Sequence, residues 1–117
     1  MEESKRQKQV ARLIQEEMSA ILLKEGLNMV QGGMVSVSNV KVTPDLLEAR
    51  IYLSFFKIDN PQALLEIFKE KTGELRGILG NKLRHQLRRI PQLQFIIDDT
   101  LDHVFRMEEL FKQIKEK

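Results

Sequence analysis

The sequence predicts an α+β fold in which helices cover one face of a small sheet. Two observations predict it. Apolar residues recur at spacings of three and four in some segments and alternate with polar residues in others. Between those segments stand proline, glycine and asparagine in positions that start or stop regular structure. The resulting order is α-β-β-α-α-β-α, and 117 residues suffice for one domain, residues 1–117, with a real core.

The first helix covers about 5–25. Val10, Leu13, Ile14, Met18, Ile21 and Leu22 share one face, and Gly26 is placed to end it. Residues 28–33 show no period and contain two consecutive glycines, so they read as a loop. Val35 and Val37 then alternate with serines, and Val40 and Val42 resume on the opposite parity. That pattern is a half-buried strand with a bulge near Ser38-Asn39. Thr43-Pro44-Asp45 supplies turn chemistry, and Ala49, Ile51, Leu53 and Phe55 mark one face of the next strand, completing a hairpin.

Asn60-Pro61 starts the second helix as N-cap and first helical residue, with Leu64, Leu65 and Phe68 buried. After Lys71-Thr72-Gly73 a third helical run carries Leu75, Leu79, Leu83 and Leu87 on one face and ends at Pro91. Leu93, Phe95 and Ile97 alternate as a third strand. Asp98-Asp99-Thr100 opens a last helix with Leu101, Val104, Phe105, Leu110 and Ile114 apolar.

Composition narrows the function. Hydrophobic residues make up 42% and charged residues 31%, a globular balance, and no apolar run nears the ~20 residues of a membrane span. The absence of cysteine excludes disulfides, thiolate nucleophiles and thiolate zinc sites. No apolar core follows the charged MEESKRQKQVARL, so a signal peptide is not expected and the cytoplasm is.

Charge is unevenly spread. From Lys71 to Pro91 stand six Lys or Arg and one acid, a local +5 in a chain of net +2. One basic segment in a near-neutral chain points to a polyanion, RNA first. The candidates are Arg76, Lys82, Arg84, Arg88 and Arg89, with Lys71 and His85 beside them. Arginine suits phosphate because its planar fork donates two parallel hydrogen bonds. Lys5, Arg6, Lys8 and Arg12 form either a second, smaller basic patch or a solvated helix face.

The α-β-β-α-α-β order is that of the type II KH domain, a single-strand nucleic-acid module. Beyond topology, VSVSNVKVTPDL followed by EARIYLSF, then Gly73-Glu74-Leu75-Arg76, then Pro91-Gln92-Leu93-Gln94-Phe95-Ile96-Ile97-Asp98, resembles the ribosome-binding factor A family over nearly the whole chain. The resemblance implies a small cytoplasmic, non-enzymatic, cofactor-free monomer that binds free 30S subunits. Its partner there would be 16S rRNA, whose late processing and folding it would assist, with a role in growth in the cold and a GTPase helping its release. It also implies a kinked helix pair in place of the Gly-x-x-Gly loop. The family's kink usually reads Ala-x-Gly, whereas here it is Lys71-Thr72-Gly73, which leaves the junction more open or adds a phosphate contact.

Other motifs weigh less. Gly77-Ile78-Leu79-Gly80 matches Gly-x-x-Gly, but its apolar middle continues the leucine register, so a helix packed closely against a neighbour is expected rather than a phosphate clamp. Asp98, Asp99, Asp102 and His103 could hold a metal or an acid/base pair, but acids at a helix start serve as caps. Tyr52 and Phe56 either stack on bases or pack under the last helix. The alternative function is a protein–protein adaptor whose basic helix meets an acidic partner.

Overall fold

The computed structural model describes residues 3–30 and 32–98. Its elements run α1 (Lys5–Lys24), β1 (Met29–Val30), β2 (Gly33–Val42), β3 (Glu48–Phe56), α2 (Pro61–Glu70), α3 (Thr72–Leu83) and β4 (Gln92–Ile97). The four strands lie in chain order, antiparallel from β1 to β3, with β4 parallel to β3. Parallel neighbours need a crossover, and α2 with α3 supplies it. The helix expected after Asp98-Asp99-Thr100 lies outside the described residues.

Each boundary has a chemical cause. Ser4 and Gln7 form a reciprocal capping box at the start of α1. At its end Gly26 takes φ 73°, Leu27 N–H reaches the Leu22 carbonyl at 2.8 Å, and Gly26 N–H that of Leu23, a Schellman ending. Asn60 caps α2 by accepting from the Ala63 N–H, with Pro61 first in the helix. The β2–β3 register slips between Val37 and Asn39, the bulge that the valine parity predicts. It lets Val35, Val37, Val40 and Val42 all face the core with Ala49, Ile51, Leu53 and Phe55. Phe68 of α2 stands between Phe55 and Phe95, ring centroids 6.3 and 5.6 Å away, joining helix and sheet.

Two elements differ from expectation. Residues 28–33 are not only loop: Met29 and Val30 pair with Met34 and Gly33 as a hairpin turned at Gly32, φ 79°. A two-residue strand is too short to show alternation. The third helix also stops early, at Leu83 instead of running to Pro91. There the Gln86 and Leu87 N–H groups both donate to the Leu83 carbonyl. One last α-type bond still brings Leu87 inward to a buried position, so the leucine register outlives the helix by one turn. Arg88 and Arg89 therefore sit in a bend and not on a helix face.

Candidate nucleic-acid interface

The eleven basic candidates do not form one patch. Helices α1 and α3 lie side by side in opposite senses: Lys71, Glu74 and Leu75 stand by Glu25, Lys82 by Glu17 and Glu25, and the segment after α3 by Arg6. The basic residues are thereby sorted into three environments along one seam.

At the kink end Lys71 directs its ammonium at Glu74, 3.9 Å away, in a cavity that Glu25 also lines. Acids around it offset its pull on a phosphate. The kink is a brief interruption: Lys71 ends α2 with φ −88° and ψ 3°, while Thr72 Oγ1 donates to the Phe68 carbonyl and Leu75 N–H to that of Lys71. Midway, Lys82 shares a groove of about 240 Å³ with Glu17, Lys24 and Glu25. Lys82 also lies in the last turn of α3, where a cation complements the helix dipole.

At the far end the charge is concentrated. Arg6 of α1 and Arg88 and Arg89 of the α3–β4 bend line one groove of about 400 Å³. Its remaining wall is the β2–β3 turn, Asp45 to Leu47. Four ion pairs occur among the described residues, and Arg6, Arg84, Arg88, Arg89 and Lys82 take part in none of them. Arg84 and His85 are exposed in the turn that leads into the groove, with Arg84 Nε 3.4 Å from His85 Nε2. Lys5 and Lys8 are exposed on the first turns of α1. Arg12 lies beyond Arg6 and pairs with Glu16 at 3.2 Å.

Arg76 differs from the rest. Its Nε donates to the Pro91 carbonyl at 3.0 Å and a terminal nitrogen to the Ile90 carbonyl at 2.6 Å. Both acceptors belong to the bend that carries Arg88 and Arg89. Arg76 thus holds that bend against α3, and two of its five donors are committed to the fold.

The groove is anchored on every side. Gln7, buried on α1, donates to the Val42 carbonyl at 2.8 Å, which fixes the start of α1 against the end of β2. The β2–β3 turn closes with Leu46 N–H on the Thr43 carbonyl and Thr43 N–H on that of Glu48. Asp45 Oδ1 accepts from Thr43 Oγ1 at 2.6 Å and from Leu47 N–H at 3.1 Å. These two bonds, the hydroxyl first, hold the Asp45 carboxyl below its ordinary pKa. Leu46 completes the turn at φ 63°, a left-handed conformation that costs leucine about 1–2 kcal/mol.

Charge at the start of α1 runs against helix electrostatics. The first turn holds no acid, yet Lys5, Arg6 and Lys8 crowd the positive end of the dipole. Stability of the helix does not explain them.

The remaining motifs resolve as scaffolding. Gly77-Ile78-Leu79-Gly80 lies inside α3, with Leu79 buried. The close neighbour expected there is present at one glycine and missing at the other: a Cβ on Gly80 would meet Ile90 Cγ1 at 3.4 Å, and one on Gly77 nothing within 4 Å. Asp98 accepts from Ser38 Oγ at 2.6 Å and is tied by its N–H to the Leu53 carbonyl. Among the described residues no group of acids and histidines is arranged to hold a metal ion, and no helix is long and apolar enough to cross a membrane. Asp99, Asp102 and His103 lie outside those residues. The groove residues that sequence reasoning passed over are Asp45, Leu46, Leu47 and Gln86. Thr43-Pro44-Asp45 marked a turn, but nothing local told that it would face Arg6.

A family model described as Ribosome-binding factor A matches residues 6–111. Among curated proteins, Ribosome-binding factor A of Cytophaga hutchinsonii is 39% identical over 112 residues, covering 96% of this chain and 84% of that protein. The protein of the same name from Chlorobaculum parvum is 42% identical over 111 residues, covering 94% and 91%. Among solved structures, ribosome-binding factor A from Thermus thermophilus superposes with a TM-score of 0.63 at 16% identity, over 78% of this chain and 94% of that one. A homology model of the Thermus protein, fitted into a cryo-EM map of a 30S complex, gives a TM-score of 0.56 at 21% identity, over 81% and 93%.

Proposed function

The chain belongs to the ribosome-binding factor A family, and from that premise we propose that it binds the maturing small ribosomal subunit through 16S rRNA. The observation that carries the reading is the convergence of Arg6, Arg88 and Arg89 on one groove, outside every ion pair among the described residues. The Thermus relative fitted into a 30S complex supports the choice of partner. The role is mechanical and not enzymatic. Occupying the site holds rRNA elements near the 5′ end and the decoding region while processing and folding finish, a step most needed in the cold, and a GTPase assists release.

Arg88, Arg89 and Arg6 are the primary phosphate contacts in this reading. Arg84, His85, Lys5, Lys8 and Arg12 flank them, and Lys82 extends the track along the seam. Lys71 contributes least because Glu74 and Glu25 surround it. Arg76 acts through the bend it holds. Phosphate contacts position without reading sequence, so binding falls steeply with salt.

The test is sedimentation of extract through sucrose gradients at low and high salt. Co-migration with free small subunits that high salt abolishes is the expected result. Arg88→Ala with Arg89→Ala should release the protein from that peak while its melting temperature stays unchanged. Association that survives nuclease treatment of the complex would instead make the basic groove a protein-docking site.

A further inference from the structure

The groove between α1, the β2–β3 turn and the α3–β4 bend is more than a basic surface. It combines an apolar floor, three guanidinium groups and one carboxylate. Val10 and Leu87 belong to the floor, Arg6, Arg88 and Arg89 bring charge +3, and Asp45 brings −1. A site for bare phosphate would not place a carboxylate among its arginines, since like charges repel. A site for a hydrophobic peptide has no use for three arginines. What fits both ends is an anion joined to a flat ring that carries N–H donors.

We propose that this groove is a single-nucleotide pocket that takes one unpaired guanine of the bound RNA, base toward Asp45 and backbone phosphate toward the arginines. The inference rests on the RNA-binding reading above and deepens it. A volume near 400 Å³ lies within the range of small-ligand sites, large enough for one nucleotide and too small for a duplex. Asp45 is already oriented: Oδ1 is filled by the Thr43 hydroxyl and the Leu47 N–H, and Oδ2 takes no hydrogen bond among the described residues. A carboxylate only accepts, so the base must donate. Guanine has two adjacent donors, N1–H and the N2 amine, on its Watson–Crick edge; adenine and cytosine have one amine each there, and uracil has a lone N3–H. Planar guanidinium groups can stack on the ring, which compensates for the lack of an aromatic side chain in the groove. The strained backbone at Leu46 is explained by the same site, because the turn must hold both Leu46 and Asp45 at the wall.

Amide shifts of labelled full-length protein would be followed with a single-stranded uridine hexanucleotide, the same strand with one central guanine, 5′-GMP and inorganic phosphate. The guanine strand should move the amides of Leu46, Leu47, Leu87 and Arg88 and bind roughly tenfold tighter than the all-uridine strand, the scale of one good base contact, with both guanine donors converging on Oδ2. Asp45→Asn, whose amide oxygen still accepts from Thr43 and Leu47, should erase that preference while the protein stays folded with a slightly lower melting temperature. Equal affinity for both strands, or shifts confined to other surfaces, would overturn the pocket. GMP binding as tightly as the strand would assign the groove to free nucleotides and overturn its role in RNA recognition. Small-subunit sedimentation is run in parallel. Subunit binding without guanine preference rejects this inference alone, and loss of subunit binding by the wild-type chain rejects the reading beneath it.

Discussion

Arg76 shows that a side chain in a basic stretch can also serve the fold. It stands in the most basic stretch of the chain, yet it donates to the carbonyls of Ile90 and Pro91. Arg76→Ala strands two acceptors in the bend, and charge-assisted bonds of this kind contribute roughly 1.5–3 kcal/mol each. Both bonds are only part-buried, so water recovers part of that sum, and a measured loss of about 2 kcal/mol in denaturant unfolding is expected, together with weakened RNA binding. Arg88→Ala, by contrast, should weaken binding at constant stability. Equal behaviour of the two variants would remove the distinction. Asp45 carries a pH dependence whose sign follows from its depressed pKa. The turn gains from the ionised carboxylate above the ordinary carboxylate range and loses that gain as pH falls through the lowered value. Protection of the Leu47 amide from solvent exchange should therefore hold at neutral pH and fall only on strong acidification. Asp45→Asn should flatten that profile.

Among the elements, α3 and the β1–β2 hairpin make opposite predictions from the same residue type. Gly77 lies in the helix interior with open space where a Cβ would stand. Gly77→Ala should raise stability by about 1 kcal/mol through helix propensity. Thermal unfolding of the variant reads this directly, and a fall in melting temperature would reveal a contact that glycine protects. Gly33 has no such room, because a Cβ there collides with the Phe56 and Lys57 carbonyl oxygens and with Ile58 Cδ1. Backbone oxygens cannot step aside as a side-chain tip can. Gly33→Ala should cost roughly 1–3 kcal/mol in the same assay, the scale of overpacking. The strands and helix starts were legible because side-chain parity, the Asn60-Pro61 cap and the Gly26 ending act within a few residues. The end of α3 was not. Leu87 keeps the helical spacing after the helix has stopped, so period alone could not distinguish a last turn from a continuing helix. Nor could it show that Gly77 lies open while Gly80 faces Ile90.

For the whole molecule, the arrangement of charge matters more than its sum. A net charge of +2 would give little general attraction to RNA. Folding brings Arg6 within one groove of Arg88 and Arg89, more than eighty residues away in sequence, and leaves Lys71 among acids at the other end of the α1–α3 seam. Sequence reasoning found both basic groups but not their meeting, because the sense of α1 against α3 is a tertiary fact. The consequence is measurable as counterion release. For single-stranded RNA each neutralised phosphate adds about 0.7 to the slope of log affinity against log salt concentration. Three arginines in contact should make the slope steeper than about −2. Removing Arg6 should flatten it by as much as removing Arg88, despite their separation in the chain, whereas Lys71→Ala should leave it nearly unchanged. If Lys71→Ala flattened the slope and Arg6→Ala did not, the RNA track would lie at the kink and the groove would be a bystander.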